Sequence, residues 1–300
     1  MRSSDSGFSL PEAMISLILM LTITSVVATG LIKITQAHGT IWNRTEMHSS
    51  VRSATELLQQ EVGQAGLVTL PAPVTMTSAV GAPGTATVTL SSVTAMFVGE
   101  WLTIDAGANQ ETVAITALNA GYSQVTAAFI DSHPANVPVS VLGGFANGIV
   151  PTTVANGSTA SRLKLFGDIN GDGNMVYLVY WCDTASGNLY RNMMPFNAGA
   201  KTPFAASQVL LSNIQVNPGG APCFTYQQVT IAPYTFVTDV AITLTVQTQQ
   251  TDPVTKQFQR ETKALLNVSP RNVLNAWELA GIGANYRVQP TPATVTNLLQ

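Results

Sequence analysis

The chain begins with a short polar stretch and then runs without a charge from residue 13 to residue 32 (AMISLILMLTITSVVATGLI). In helical form 20 residues rise ~30 Å, the thickness of a bilayer's hydrocarbon core, so this segment predicts a membrane-spanning helix. Beyond it the pattern turns amphipathic. Met47, Val51, Ala54, Leu58, Val62 and Ala65 recur at three- and four-residue spacing, with Arg52, Glu56, Gln59, Gln60 and Gln64 between them, which predicts that the same helix continues with one apolar face. Gly63, Gly66, Pro71 and Pro73 supply stop signals, and a helix over about 10–65 would be ~80 Å long. His38 and His48 fall on it as polar-face residues.

Between about residues 80 and 143 the period changes to two. TATVTL, WLTID, ETVAITA, QVTAAF and VPVSVL are short Val- and Thr-rich runs separated by Gly, Asn, Asp and Ser, a spacing that predicts five strands in a small sandwich or barrel. Strands resume as RLKLF, MVYLVYW and NLYRNM. They close with FVTDVAITLTVQT and FQRETKALLNV, two alternating runs whose polar connection holds Asp252-Pro253, which predicts a hairpin. The polar residues of 286–300 read as a loose tail.

Composition narrows the class. Hydrophobic residues make up 46% of the 300, enough for a true core, while only 10% are charged and the formal net charge is −3. Thr, Ala and Val are the most frequent residues, with many Ser, Asn, Gln and Gly, as in secreted or surface β proteins. With no basic run, a nucleic-acid surface built on phosphate contacts is not expected.

A secretory signal would carry its cleavage site after the apolar core; here the marked junction precedes it. Gly7-Phe8-Ser9-Leu10-Pro11-Glu12 followed by the apolar run resembles the class III signal of type IV prepilins and of type II secretion pseudopilins. The leader has a single basic residue, Arg2, and Pro11 stands where that family often has an aliphatic residue. The resemblance implies cleavage after Gly7 by a membrane prepilin peptidase, methylation of the new N-terminus at Phe8, and assembly with other pilins or pseudopilins through the helix. It also implies a single pass through the inner membrane with the C-terminal domain periplasmic, before assembly into a pilus or pseudopilus. The spacing Arg52, Ala54, Leu58, Val62, Ala65, Gly66 and the later Arg271-Asn272 resemble PilW-type minor pilins and J-type pseudopilins. The expected fold is therefore α+β and pilin-like: a leader (1–7), a long helix (8–70) whose second half packs on an antiparallel sheet domain (144–285), an inserted β module (71–143) and a tail (286–300).

Glu12 has two readings. A carboxylate at full membrane depth costs roughly 2.5–3.5 kcal/mol unless compensated. The resemblance implies that Glu12 neutralises the N-terminal ammonium of a neighbouring subunit. Locally, Ser9-x-x-Glu12 also has the spacing of a capping box, with Pro11 acceptable in the first turn.

Downstream, Asp168, Asn170 and Asp172 alternate in a D-x-N-x-D-G loop, with Asn174 placed to add a carbonyl, the pattern of oxygens around Ca²⁺. Val179 stands where an EF-hand needs its Glu, so Asp183 or another distant carboxylate would have to complete the shell. An Asn/Gly/Asp-rich β-turn is the alternative. Cys182 and Cys223 read as one disulfide or as two buried thiols. His133 has only Asp131 near it in sequence, which argues against a metal site. No G-x-S-x-G, H-E-x-x-H or phosphate loop is present, so a structural role in a filament is favoured over an enzyme. The readings in order are a minor pilin at pilus initiation or tip, a J-type pseudopilin, and a membrane-tethered adhesion or binding protein.

Overall fold

The computed structural model describes residues 9–299. It is an α+β chain in which one long helix, α1 (Leu10–Gln64), precedes several antiparallel sheets. The chain divides into two compact units: one holds the helix as far as Ser49 together with Gln247–Glu261, the other holds the remainder.

In the larger unit the helical stripe foreseen from spacing is the buried one. Val51, Ala54, Leu58, Val62 and Ala65 are all buried, and removing a Leu or Val side chain from water stabilises by about 1.5–3 kcal/mol each. Gly66 ends the helix with a positive φ of 84°, a conformation open to glycine at little cost. A Cβ there would also lie 2.9 Å from Val273. The stop is thus both conformational and steric.

The chain then builds β1 (Val74–Met76), β2 (Gly84–Thr89), β3 (Trp101–Ile104), β4 (Glu111–Ala114), β5 (Ala117–Asn119), β6 (Gln124–Phe129) and β7 (Val137–Val141). They form two antiparallel sheets, ordered β1-β7-β3-β4 and β2-β6-β5, around a cluster of their own that includes Met76, Leu90, Leu102, Ile104, Val125 and Val139. The run ETVAITA, expected as one strand, is divided between the two sheets as β4 and β5. Buried Ile115 lies between them.

After β8 (Gly144–Phe145) come β9 (Arg162–Gly167), β10 (Val176–Asp183), β11 (Asn188–Pro195) and β12 (Val209–Ser212), a four-stranded antiparallel sheet in the order β12-β11-β10-β9. β13 (Ile214–Gln215), β14 (Phe224–Ile231) and β15 (Tyr234–Gln247) form another, with β16 (Arg260–Val268) paired to β15 in the expected hairpin. A disulfide joins Cys182 on β10 to Cys223, which directly precedes β14, and so ties these two sheets together.

The end of the chain departs from expectation. The expected sheet domain closes with a helix, α2 (Arg271–Gly281), and in place of a loose tail from 286 there are β17 (Val288–Gln289) and α3 (Ala293–Leu298). Val273, Ala276 and Ala280 of α2 pack with Phe236 and Val288, while Val295 and Leu298 of α3 join Phe145, Phe166 and Tyr177. β17 pairs in parallel with β8. Gln289 is fully buried; its amide donates to the carbonyls of Trp101 and Leu142 at 2.9 and 3.1 Å and accepts from Trp101 N–H at 2.9 Å. Gln289, one of the polar residues that suggested a tail, is thus a buried side chain pairing with backbone.

Candidate functional site

The feature with functional potential is α1 and the way it is mounted. Its first half holds the one stretch among the described residues that is long and apolar enough to cross a membrane, and none of that stretch is buried by the chain. Hydroxyls within it are satisfied locally: Thr22, Thr24 and Thr29 donate to the carbonyls of Leu19, Met20 and Ser25 at 2.7–2.8 Å. In hydrocarbon, where water cannot take these bonds, such back-bonding removes the cost of a free hydroxyl.

Glu12 lies in the first turn and is exposed. Its hydrogen-bond partner among the described residues is Ser9 Oγ, at a long 3.5 Å. The side chains meet each other rather than the backbone N–H groups that a capping box satisfies. Gly7 and Phe8, the expected cleavage and methylation positions, lie outside the described residues.

The second half of α1 is fixed by a buried ion pair that spacing did not reveal. Glu61 shares the apolar register of Ala54, Leu58 and Ala65, and a carboxylate in that register signals a buried partner. Arg191 on β11 supplies it. Its Nε lies 3.1 and 3.2 Å from the two Glu61 oxygens and its Nη2 also donates to Oε1. The Tyr180 hydroxyl on β10 donates to Oε2. Burial, and then the Glu61 charge, push that hydroxyl well above its ordinary pKa and keep it a donor. At the helix end Asn272 Nδ2 donates to the Gln64 carbonyl at 3.0 Å, so one residue of the Arg271-Asn272 pair closes an otherwise open helix C-terminus.

The loop at 168–174 is held by its own hydrogen bonds. Both Asp168 oxygens accept hydrogen bonds, from the N–H groups of Asp172 (3.1 Å) and Gly173 (2.9 Å) and from the Thr69 hydroxyl (3.0 Å). Asp172 Oδ1 accepts from Asn174 N–H at 2.9 Å, and Asn170 is exposed. Val176 pairs with Gly167, so Asp183 sits seven residues along β10 from this loop, ~23 Å away at strand rise. It cannot complete a shell. Of the two readings of 168–174, these hydrogen bonds fit the Asn/Gly/Asp-rich turn, here stapled by Asp168 between β9 and β10.

His133 is buried and does have carboxylate partners, Asp105 at 3.3 Å from Nδ1 and Glu111 at 2.6 Å from Nε2. Burial alone would lower its pKa, but the bonds to Glu111 and Asp105 outweigh that and raise it. The two carboxylates hold opposite ring nitrogens, an arrangement that braces the ring and does not converge on one ion. Nearby in sequence, Glu100 is wholly buried, with Oε1 unpartnered and Oε2 accepting from Phe97 N–H at 3.3 Å. Burial pushes its pKa up to about 8. Among the described residues no group of three or more His, Cys, Asp or Glu side chains is arranged to hold a metal.

No protein-family model matches this chain, nor does any curated protein or solved structure.

Proposed function

We propose that this protein is a minor subunit of a type IV filament, a minor pilin that is cut after Gly7, methylated at Phe8 and assembled through α1. The observation that carries the reading is a helix whose first half is apolar, holds a membrane-length stretch that the described residues leave unburied, and is led by an exposed Glu12 whose one bond among them is long and local. A helix of this kind needs partners for its surface and for its charge. Before assembly those are lipid and water at the inner membrane, with the β domain on the periplasmic side. In the filament they are the helices of other pilins, with Glu12 facing a neighbour's N-terminal ammonium. The bonding of the helix's second half by Glu61, Arg191 and Tyr180 supports the same reading, because extraction from a bilayer pulls on that half against the sheet it packs on.

The size of the β head favours a minor subunit, since a bulky domain repeats poorly along a shaft. The test is the N-terminus of the mature protein in the presence of a prepilin peptidase. A mass beginning at methylated Phe8, lost in Gly7→Val, supports the reading; an uncut chain in cells carrying the peptidase refutes it. A deletion strain that keeps its pili and loses protein secretion would reassign the same mechanics to a pseudopilus.

A further inference from the structure

The sheet that carries Tyr180 and Arg191 gathers positive charge on its other face. Successive residues of a strand point to opposite faces, and residues paired directly across antiparallel strands share one. Tyr180 and Arg191 are such a pair and meet Glu61. On the opposite face the register puts Arg162, Trp181 and Tyr190 in one row and Lys164, Val179 and Asn192 in the next. The loop after β11 folds over this face. Asn192 Nδ2 donates to the carbonyl of Thr202, the neighbour of Lys201, and the Phe204 ring centre lies 5.0 Å from that of Trp181 and 5.6 Å from that of Tyr190. Three of the chain's 13 Lys and Arg residues are thus brought together in a protein that carries little charge.

The Arg162 guanidinium lies 5.1 Å from the centre of the Trp181 ring, which stacks in turn on Tyr190 at 5.3 Å. Such stacking fixes the plane of the guanidinium and leaves the N–H donors along its edge available. Lys164 is 4% exposed, and its amine donates to the carbonyl of Asn156. Lys201 is half-buried.

Among the described residues no carboxylate pairs with any of the three. Asp183, at the end of β10, is taken by the N–H groups of Ala185 and Ser186 at 3.1 and 3.4 Å. Burial, and then the charges of Lys201 and Arg162, hold the Lys164 amine down at about 8. Burial and Arg162 lower Lys201 in the same way. Cations crowded together repel, and burying one costs free energy that an anion would offset. A fourth group points the same way. Tyr177 is fully buried, and its hydroxyl has no hydrogen-bond partner among the described residues. Burial keeps that hydroxyl protonated, and it feels the Arg162 charge. The aromatic stack accounts for Arg162; it accounts neither for the two lysines nor for this hydroxyl.

We propose that Arg162, Lys201, Lys164 and Tyr177 form a binding site for a phosphate monoester, with Arg162 and Lys201 on its open side and Lys164 and Tyr177 on its buried side. A phosphate monoester brings a charge of about −1.5 to −2 at neutral pH and three strong acceptor oxygens, where a carboxylate brings a single charge. The guanidinium can take two oxygens in its fork while the amines act as point charges. A nucleic-acid strand spreads its phosphates along its length and is met by a groove of cations; these three are grouped at one place. The site lies wholly in the larger unit and does not rest on the membrane reading.

The test is calorimetric titration of the full-length protein in detergent, at neutral pH and constant ionic strength, with glycerol 3-phosphate, inorganic phosphate, acetate and a thymidine oligonucleotide. Saturable binding of glycerol 3-phosphate at one site is expected. Arg162→Gln combined with Lys201→Gln should weaken it tenfold or more, and Tyr177→Phe roughly fivefold, each with the melting temperature of the ligand-free protein unchanged. A cooperatively melting wild type that binds no phosphate compound would overturn the proposal, as would equal binding by the Arg162 and Lys201 double variant. Unchanged affinity in Tyr177→Phe would overturn that residue's place in the site. Binding of inorganic phosphate alone would replace the ester by the free ion. Acetate binding as tightly as the phosphates would overturn the ligand class, and tighter binding of the oligonucleotide would reassign the cations to nucleic acid.

Discussion

Glu61, Arg191 and Tyr180 lock the second half of α1 to the sheet, and Arg191→Met tests that lock. Glu61 is 3% exposed and bonds to the Arg191 guanidinium and the Tyr180 hydroxyl. Removing the guanidinium leaves a buried carboxylate with one neutral donor, a loss of about 3–5 kcal/mol for a broken buried pair. Methionine fills much of the vacated volume, so lost packing adds little. In a unit of this size about 1 kcal/mol moves Tm by roughly 2–4 °C, so the variant should melt on the order of 10 °C lower. The assay is a thermal melt of the full chain in detergent, followed by far-ultraviolet circular dichroism at a β-sheet wavelength. The triple variant Glu61→Met, Arg191→Met, Tyr180→Phe removes charge and partners together and should recover most of that loss. An Arg191→Met protein within about 1 kcal/mol of wild type, or a triple variant worse than the sum of its parts, would refute the reasoning.

Three further perturbations follow from the same geometry. Glu100 has a folded pKa of about 8, above its unfolded value, so its contribution is fully present below about pH 4.5 and is lost as pH rises through 8. Denaturant titrations across that window should show a decline on the order of 1 kcal/mol per pH unit that Glu100→Gln flattens. Reducing the Cys182–Cys223 bond, which closes a loop with sequence separation 41, should cost about 4 kcal/mol in the chain-entropy model, read as a lower melting temperature in dithiothreitol that Cys182→Ser with Cys223→Ser reproduces. Deleting residues 286–300 removes buried Val288, Gln289, Val295 and Leu298, and the shortened chain should be proteolysed rapidly within 71–143, where wild type resists.

How much of this was legible in the sequence depended on whether the signal was local. The apolar span, the amphipathic stripe from Met47 to Ala65 and the Val/Thr alternation report burial directly, one residue at a time. The hairpin at Asp252 was readable because both runs and its turn are contiguous. What escaped was set by partners distant in sequence. Glu61 meets residues more than a hundred positions away, and His133 finds Asp105 and Glu111 across strands rather than in its own loop. α2 does carry a local signal, Val273, Ala276 and Ala280 at three- and four-residue spacing, but at eleven residues it is short enough to pass for the end of the sheet domain. The Asp168 loop misled for a related reason: a pattern that can surround a cation also staples a turn, and only the hydrogen bonds distinguish them.

The central claim, that α1 is an assembly device with Glu12 as its register residue, is tested most directly by the composition of filaments. Filaments sheared from cells making wild type or Glu12→Ala, at equal levels of processed protein in the membrane, are probed for this chain. Wild type is expected in the filament fraction, and Glu12→Ala is expected to remain in the membrane. Equal incorporation of the two, or absence of the wild-type protein from any filament, would contradict it.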